Sequence, residues 1–396
     1  MAYPVAWQKV AIRELYEGLY DGPHATPKPS DQGPVFLGIG NITDDGHLDL
    51  KSVRHISESE FGRWTKRVTP SEGDIVFTYE ATLNRYAIIP KGFKGCLGRR
   101  LALIRPNPRK VDTRFLHYYF FGHEWRNLIE EKKLSGATVD RIPLTEFPNF
   151  PVVVPPLETQ RRISSILSAY DDLIENNTRR IEILEEMARR LYEEWFVQFR
   201  FPGHEGVEFT DSSLGLIPVG WTVGCLQDVI TLQRGFDLPV QHRLAGSVPI
   251  ISATGTGGSH VEAKVKGPGV VTGRSGSIGK VMYVHDDHWP LNTTLWGANY
   301  PLGSTLFAYY VLSSIDLKGF NVGAAVPTLN RNDIHGLPVN IPPKEIVQSF
   351  EKVAEPLHNL TEKLRRKNAN LRAQRDLLLP KLISGEIDVS DIPMPT

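Results

Sequence analysis

The stretch Val152-Val153-Val154-Pro155-Pro156 is a short apolar strand that ends in two prolines, and a segment without glycine or proline follows it from about Leu157 to Phe199. The same pattern returns as Val339-Asn340-Ile341-Pro342-Pro343, and we call the displacement that relates Val152 to Val339 the repeat offset. Two further landmarks recur in the same order, Pro4-Val5-Ala6-Trp7 as Pro218-Val219-Gly220-Trp221 and Gly136-Ala137-Thr138-Val139 as Gly323-Ala324-Ala325-Val326. Three ordered landmarks predict a duplicated chain, each copy a globular block followed by a strand and a long helix.

A seven-residue apolar repeat follows each Pro-Pro pair, which is typical of a coiled-coil seam. At 1.5 Å per residue, a helix of about 40 residues is roughly 60 Å long, well beyond the average of about 12 residues for globular helices. We therefore predict that the two helices pair with each other as an antiparallel coiled coil. The seam positions, which the repeat offset relates one by one, are Ile163, Tyr170, Asn177, Leu184 and Leu191 in the first helix and Phe350, Leu357, Leu364, Leu371 and Leu378 in the second.

The second row of the seam is less even than the first. In the first helix it is formed by Leu167, Ile174, Ile181, Ala188 and Trp195, whereas in the second helix only Val353 and Leu360 are apolar before Lys367 and Gln374 interrupt it. We interpret Asn177 as a polar residue that sets the register of the coiled coil. Pro356 lacks a backbone donor, so we expect a kink or break near Glu355.

The two globular blocks, roughly 1–150 and 210–338, have the pattern of a mixed α/β fold. Short strand-like runs punctuated by glycine and proline lie at 74–79, 101–104, 269–272 and 280–284, and short helices are predicted at 114–128 and 306–315. The predicted division of the chain is a first globular domain at 1–156, a long helix at 157–200, a linker and second globular domain at 201–341, and a long helix with the C-terminal tail at 342–396.

The composition indicates an ordinary globular chain: of 396 residues, 41% are hydrophobic and 23% charged. No apolar run is long enough to cross a bilayer, and the first residues lack a secretory signal pattern. The two cysteines, Cys96 and Cys225, lie far apart without metal-ligand spacing, so we expect neither a disulfide nor a zinc site and favour a cytoplasmic protein.

Charge is balanced over the whole chain but not locally. The formal net charge is zero, yet residues 85–114 contain nine lysines and arginines against the single acid Asp112. Such a run can neutralise DNA phosphates, and it can equally be a solvated surface. Both interpretations stay open on charge alone.

A search for catalytic motifs gives no candidate. The segment Gly273–Lys280 has five residues where a phosphate-binding P-loop has four, and Val281 replaces the Ser or Thr that would bind magnesium. Metalloprotease and nucleophile-elbow patterns are missing, and the twelve histidines are scattered. We therefore expect no catalytic residue, no cofactor and no metal ion in this chain.

The repeated strand, Pro-Pro pair and long helix resemble the specificity subunits of type I restriction-modification systems. The resemblance rests on Val154–Ile163, on Leu173-Ile174-Glu175-Asn176-Asn177, on Gly276–Val281 and on the ending Leu378–Ile387, and it covers essentially the whole chain. It implies two target-recognition domains that each read half of a split double-stranded DNA site. It also implies that the helices bind methyltransferase subunits, two copies being expected, that motor-nuclease subunits join them, and that this chain itself catalyses nothing.

DNA reading requires Arg, Lys, Asn, Gln, Ser and Thr side chains at base edges and phosphates. The first block has Tyr79-Glu80-Ala81-Thr82 where the second has Gly273-Arg274-Ser275-Gly276, so contacts cannot be transferred between the blocks. Two alternatives remain, a stand-alone sequence-specific DNA-binding protein and an enzyme acting on DNA by itself. The candidate DNA-binding residues are Asn84, Arg85, Tyr86, Arg99, Arg100, Arg234, Gln241, Arg243, Arg274, Ser275, Ser277 and Asn292.

Overall fold

The computed structural model describes residues 4, 6–135, 139–320 and 327–392. The repeat landmarks at 136–138 and 323–326, and residue 5, lie outside the described residues. The chain divides into two compact units, unit 1 being Met1–Glu175 with Ala369–Thr396 and unit 2 being Asn176–Asn368. Each unit therefore combines one globular block with a part of each long helix.

Unit 1 contains the first globular block and the beginning of the first long helix. Its helices are α1 (Phe61–Trp64), α2 (Thr113–Tyr119), α3 (His123–Lys132) and the first part of α4 (Leu157–Tyr192). Its strands are β1 (Gln8–Ala11), β2 (Tyr16–Asp21), β3 (Ser30–Leu37), β4 (Arg54–His55), β5 (Ile75–Thr78), β6 (Tyr86–Ile88), β7 (Gly95–Leu97), β8 (Leu101–Pro106), β9 (Leu134–Ser135), β10 (Asp140–Arg141) and β11 (Pro151–Val154).

Unit 2 contains the second globular block. Its helices are α5 (Thr305–Ser314), α6 (Arg331–His335) and most of α7 (Lys344–Ile383), whose last part belongs to unit 1. Its strands are β12 (Phe209–Ser212), β13 (Gly215–Pro218), β14 (Thr222–Cys225), β15 (Thr231–Arg234), β16 (Val248–Ser252), β17 (Gly255–His260), β18 (Gly269–Gly273), β19 (Val281–Val284), β20 (Trp289–Pro290), β21 (Thr294–Asn299) and β22 (Pro338–Ile341).

The two units share one strand topology, which confirms the predicted duplication. Among the described residues, unit 1 has sheets in the orders β2-β8-β5-β6 and β4-β3-β7, and unit 2 has the matching orders β15-β21-β18-β19 and β17-β16-β20. In each three-stranded sheet one pair is parallel, β3 with β7 and β16 with β20. The pairs β1-β11 and β14-β22 also correspond, and each places the strand before the Pro-Pro pair against the start of its own block.

The long helices extend as the heptad pattern predicts, with two differences. Helix α4 ends at Tyr192 and continues as a π-helical turn, Glu193–Val197. Helix α7 is uninterrupted through Pro356, which is exposed, so the predicted break near Glu355 does not occur. Among the described residues, no helix combines the length and the apolar character that crossing a membrane requires.

The second seam row of α7 lies one position later than the sequence suggests. Val353 and Leu360 are 48% and 38% exposed, so they face away from the seam. The buried positions are Ala354, Thr361 and Asn368. At the repeat offset these are the counterparts of Leu167, Ile174 and Ile181. Because Thr361 and Asn368 are polar, an apolar heptad pattern does not reveal this row.

Each unit has one main hydrophobic core, to which both long helices contribute. In unit 1 the aromatic residues of α2 and α3 pack with Ile163 and Leu167 of α4 and with Leu382 of α7. In unit 2 the aromatic helix α5 packs with Tyr192 of α4 and Phe350 of α7. The predicted helix at 114–128 is therefore two helices, because the chain turns at Phe120–Gly122, and its aromatic residues are core residues as expected.

A tyrosine at equivalent positions of the two units links each globular block to a long helix through its hydroxyl group. In unit 1 the Tyr118 hydroxyl donates to Asp171 Oδ2 at 2.5 Å, and Arg375 Nη1 donates to Asp171 Oδ1 at 2.6 Å. In unit 2 the Tyr310 hydroxyl lies 2.8 Å from His358 Nε2. Burial, with smaller effects of His285 and Arg365, lowers the pKa of His358 to about 4, so the neutral imidazole can accept the tyrosine proton near pH 7.

Asn177 takes part in a buried polar layer within unit 2. Its Nδ2 donates to Asn368 Oδ1 at 2.9 Å, and the two residues are 1% and 2% exposed. At the repeat offset their counterparts are Leu364 and Ile181, an apolar pair. The layer formed by Asn177 and Asn368 is therefore polar, whereas the layer that the repeat offset relates to it is apolar.

The substitution Asn177→Leu is expected to lower the free energy of unfolding by about 1–3 kcal/mol, because it removes a buried hydrogen bond. The double variant Asn177→Leu, Asn368→Ile reproduces the chemistry of the equivalent layer and should recover that loss or exceed it. Urea denaturation of both single variants and the double variant gives the coupling energy. A single variant as stable as the wild type would contradict this account of the layer.

Candidate nucleic-acid interface

Two hairpin loops occupy the same position in the two units, β5 to β6 in unit 1 and β18 to β19 in unit 2. Both loops turn through two residues in the left-handed region. In unit 2 these are Gly276 (φ 85°) and Gly279 (φ 92°), and in unit 1 they are Ala81 (φ 72°) and Asn84 (φ 63°). Alanine rarely adopts this conformation, whereas asparagine does so more readily, so Ala81 makes the turn of unit 1 more strained than the glycine turn of unit 2.

Backbone hydrogen bonds fix how the two loops align. Tyr79 O accepts from Ile142 N at 2.7 Å, and Arg274 O accepts from Leu329 N at 2.8 Å. The next bonds match as well, from Ala81 N to Asp140 O and from Gly276 N to Pro327 O. Tyr79 therefore corresponds to Arg274, one position away from the alignment that the sequence suggested. The resulting correspondences are Tyr79 with Arg274, Glu80 with Ser275, Thr82 with Ser277, Leu83 with Ile278 and Arg85 with Lys280.

In unit 1 the loop meets a cluster of charged side chains. Glu80 forms an ion pair with Arg100 (Oε1 to Nε, 3.2 Å), and Asp21 pairs with Arg67. Tyr79 lies among these charges, 6% exposed, and its hydroxyl has no hydrogen-bond partner among the described residues. Burial, followed by the negative charges of Asp21 and Glu80, raises the pKa of Tyr79 to about 12, so the hydroxyl keeps its proton.

In unit 2 the corresponding cluster has different chemistry. Arg274 Nη1 donates to the backbone oxygen of Asn292 at 3.5 Å, and the Asn292 side chain donates to Asp237. Arg234 lies 3.7 Å from the same Asp237 carboxylate. Among the described residues no acid forms an ion pair with Arg274, so its guanidinium retains donors for a ligand.

We call these two clusters the hairpin corners: Asp21, Arg67, Tyr79, Glu80 and Arg100 in unit 1, and Arg234, Asp237, Arg274, Ser275 and Asn292 in unit 2. Sequence reasoning selected Arg100, Arg234, Arg274, Ser275 and Asn292 but missed Asp21, Arg67, Tyr79, Glu80 and Asp237. The missed residues carry no local motif. The repeat places Tyr79 and Glu80 near the counterparts of Arg274 and Ser275, but the sequence alone aligns them one position off.

The remaining candidates are distributed differently. Arg85 is an ion-pair partner of Asp44 (Nε to Oδ1, 2.7 Å), and Asn84 forms the strained turn. Tyr86 is fully buried and its hydroxyl accepts from Trp125 Nε1 at 2.8 Å, so it belongs to the core and not to the surface. Arg99 is exposed, without an ion pair among the described residues, and Ser277 is exposed at its loop tip.

Two further candidates lie on the segment between β15 and β16. Gln241 is exposed in the short 3-10 turn Val240–His242. Arg243 is partly buried, and it donates to the backbone oxygens of Leu238 at 3.3 Å and Gly257 at 3.4 Å. These two bonds hold Arg243 against the segment, and the remaining donors of its guanidinium stay available to a ligand.

Much of the basic run at 85–114 is neutralised within unit 1. Arg105 donates to the buried carboxylate of Asp74 through Nε and Nη2, both at 2.8 Å. Other members pair with acids from distant parts of the sequence. These pairs are Arg85 with Asp44, Lys94 with Glu58, Arg100 with Glu80 and Arg114 with Asp172. The run is therefore a weaker phosphate-binding surface than its composition suggests.

A cleft of about 460 Å³ beside the unit 1 corner contains unpaired positive charge. Its lining includes Arg54, Arg99 and Arg100, the last paired with Glu80, together with the carboxylate of Asp49 and the polar side chains of Asn41 and Ser52. Arg54, which sequence reasoning did not select, is exposed and has no ion pair among the described residues. Within the described part of the chain, no group of three or more His, Cys, Asp or Glu residues is placed to bind a metal ion.

The paired corners, the duplicated topology and the long helices define a class of protein with two related domains on shared helices. A sequence profile described as the type I restriction modification DNA specificity domain matches residues 4–186 and 218–372, which is most of the chain. The chain belongs to this family. Specificity subunits of type I restriction systems are non-catalytic DNA-recognition subunits.

The chain is similar to specificity subunits along its length. It is 25% identical over 406 residues to the type I restriction enzyme MjaIX specificity subunit of Methanocaldococcus jannaschii, covering 96% of this chain and 90% of that one. It is 26% identical over 172 residues to the HindI specificity subunit of Haemophilus influenzae, covering 42% and 36%. The solved S subunit of the type I restriction-modification system of M. genitalium has the same fold, with a TM-score of 0.64 at 16% identity, covering 95% and 96%.

Proposed function

We propose that this chain reads a two-part, asymmetric double-stranded DNA site, one half with each unit. The observation that carries the proposal is the pair of hairpin corners, which share one backbone geometry but present unlike side chains. Two readers of common design and different chemistry would recognise two different half-sites. The arginines of both corners and of the cleft at Arg54 supply donors for base edges and phosphates.

Binding by the full-length chain, together with a type I methyltransferase subunit from the same host, tests this proposal. Selection from a pool of randomised duplexes should enrich sequences with two short conserved blocks. A fixed number of unspecified base pairs should lie between the blocks. Enrichment of one uninterrupted block would overturn the two-reader proposal. Sequence-specific binding that persists unchanged without the methyltransferase, together with no complex formation, would favour a stand-alone DNA-binding protein.

The long helices are proposed to bind two methyltransferase subunits, which motor-nuclease subunits would then join. Leu173 of α4 and Leu360 of α7 are counterparts at the repeat offset, and both are exposed, by 37% and 38%. Exposed leucines at equivalent positions of a duplicated scaffold support two equivalent docking surfaces for one kind of partner. The methyltransferase subunits would supply the S-adenosylmethionine chemistry.

The substitution Leu173→Arg is expected to reduce the number of bound methyltransferase subunits from two to one, and Leu360→Arg should do the same. The double variant should bind none, because a charge then stands at the centre of each apolar contact. Native mass spectrometry counts the subunits. Leu377→Arg is the matched control, since Leu377 is 68% exposed on α7 but its counterpart is Arg190. Loss of both subunits from a single variant would contradict independent docking surfaces.

A further inference from the structure

The hairpin corners differ most at the two residues that enter each loop. Tyr79 and Glu80 in unit 1 correspond to Arg274 and Ser275 in unit 2. The scaffold around them is the same, with left-handed residues at both ends of the tip and an apolar side chain, Leu83 or Ile278, packed against the core. If the backbone of the loop stays the same and only a few side chains change, the DNA sequence that each unit prefers can change without altering the fold.

The residues that do correspond in chemistry have the properties of phosphate contacts. Thr82 and Ser277 are both hydroxyl side chains at the loop tip. Arg85 and Lys280 are both cations, although Arg85 pairs with Asp44 and Lys280 Nζ donates to the backbone oxygen of Thr254 at 3.2 Å. Hydroxyls, cations and backbone amides bind phosphates without reading sequence. Within this hairpin, the positions that differ are therefore the candidates for base preference.

We propose that the residue pairs 79/80 and 274/275 determine the specificity of the two half-sites. The inference rests on the proposed DNA-reading function and assigns it to particular side chains. Arg274, whose guanidinium has no acidic partner among the described residues, would donate two hydrogen bonds to O6 and N7 of a guanine. Glu80 would accept from the exocyclic amino group of a cytosine, with Arg100 holding its carboxylate at 3.2 Å.

The unpaired hydroxyl of Tyr79 independently points to a ligand at this place. It is a buried donor, since Tyr79 is 6% exposed, and among the described residues it has no hydrogen-bond partner. Buried polar groups are nearly always satisfied, by protein, water or ligand. A polar ligand at Glu80 and Arg100 would give this hydroxyl a partner.

The test is duplex selection with the full-length chain and its methyltransferase partner, comparing Arg274→Ala with the wild type. Discrimination at a single base pair of one half-site should fall roughly 5- to 150-fold, with every other position unchanged. Arg274→Lys keeps the charge but loses the planar pair of donors, so it should lose the same discrimination. Glu80→Gln should change one base pair of the other half-site only.

Lys266→Ala is the control, because it removes one exposed positive charge near the opposite end of strand β18. It should leave the selected sequence unchanged. Uniformly weaker binding of all duplexes by Arg274→Ala, with Arg274→Lys like the wild type, would assign Arg274 to a phosphate and overturn the proposal. Unchanged selection by all corner variants would overturn it as well. If the wild-type complex itself selects no sequence, the proposed function fails, and this is a distinct result.

Discussion

Replacing Phe350 with alanine is expected to lower the free energy of unfolding of unit 2 by about 3–5 kcal/mol. Phe350 is fully buried, and its ring centroid lies 5.0 Å from that of Phe196 in an edge-on arrangement and 5.9 Å from that of Tyr310. It thus joins α7, the end of the first long helical segment and the aromatic helix α5. Removing the ring leaves a cavity where three elements meet, and aromatic neighbours cannot collapse into it without tilting.

Thermal denaturation followed by near-ultraviolet circular dichroism measures this effect. For a unit of about 190 residues, such a loss corresponds to roughly 6–20 °C in the melting temperature. Val353→Ala is the matched control, because Val353 lies three residues further along α7 and is 48% exposed. It should change the free energy of unfolding by less than about 0.5 kcal/mol. Equal destabilisation by the two variants would show that Phe350 is not a core residue of this unit.

Exchange of the first globular block, residues 1–150, for that of a relative with another recognition sequence should change one half of the methylated sequence and leave the other half intact. Binding to the parent site should fall by about 10³-fold or more, toward non-specific affinity. The physical reason is that each unit has its own core and its own hairpin corner. Methylome sequencing of a host that carries the exchanged gene gives the result directly.

The reciprocal exchange of residues 210–338 is the control, and it should alter only the other half. The exchanged first block must still pack against Ile163 and Leu167 of α4 and Leu382 of α7, so a relative with similar residues there is the suitable donor. Alteration of both half-sites by either exchange would refute separate readers.

The sequence predicts the architecture well because the repeat and the heptads are properties of residue type and spacing. The seam of α4 was visible since its members are almost all apolar. The second seam row of α7 cannot be recognised in the same way, because the polar residues Thr361, Asn368 and Arg375 occupy it. Val353 and Leu360 have the spacing of a seam row, but they lie on the exposed face of the helix. Likewise, Pro356 is compatible with a continuous helix because only one backbone hydrogen bond is lost, and the flanking turns remain packed.

The candidate site was predicted only in part, because its geometry depends on contacts between residues far apart in sequence. The ion pairs of Glu80 with Arg100 and of Arg105 with Asp74 cannot be read from composition. The sequence therefore overestimates how many cations of the basic run are available to bind phosphate. The correspondence of Tyr79 with Arg274 needed backbone hydrogen bonds to establish it. Tyr86 could not be separated from its exposed neighbours, since burial of one loop-flanking residue depends on the whole core.

The composition of the units also has a consequence for biosynthesis. Unit 2 is one continuous stretch, Asn176–Asn368, whereas unit 1 is completed by Ala369–Thr396, which includes the core residues Leu382, Ile383 and Val389. On the ribosome, the first domain to emerge therefore waits for the last helix to be translated, roughly 200 residues and on the order of 10–40 s later. During that interval its apolar face is uncovered, and the second domain to emerge can finish folding first. The core of unit 1 is therefore completed only after all of unit 2 has been translated.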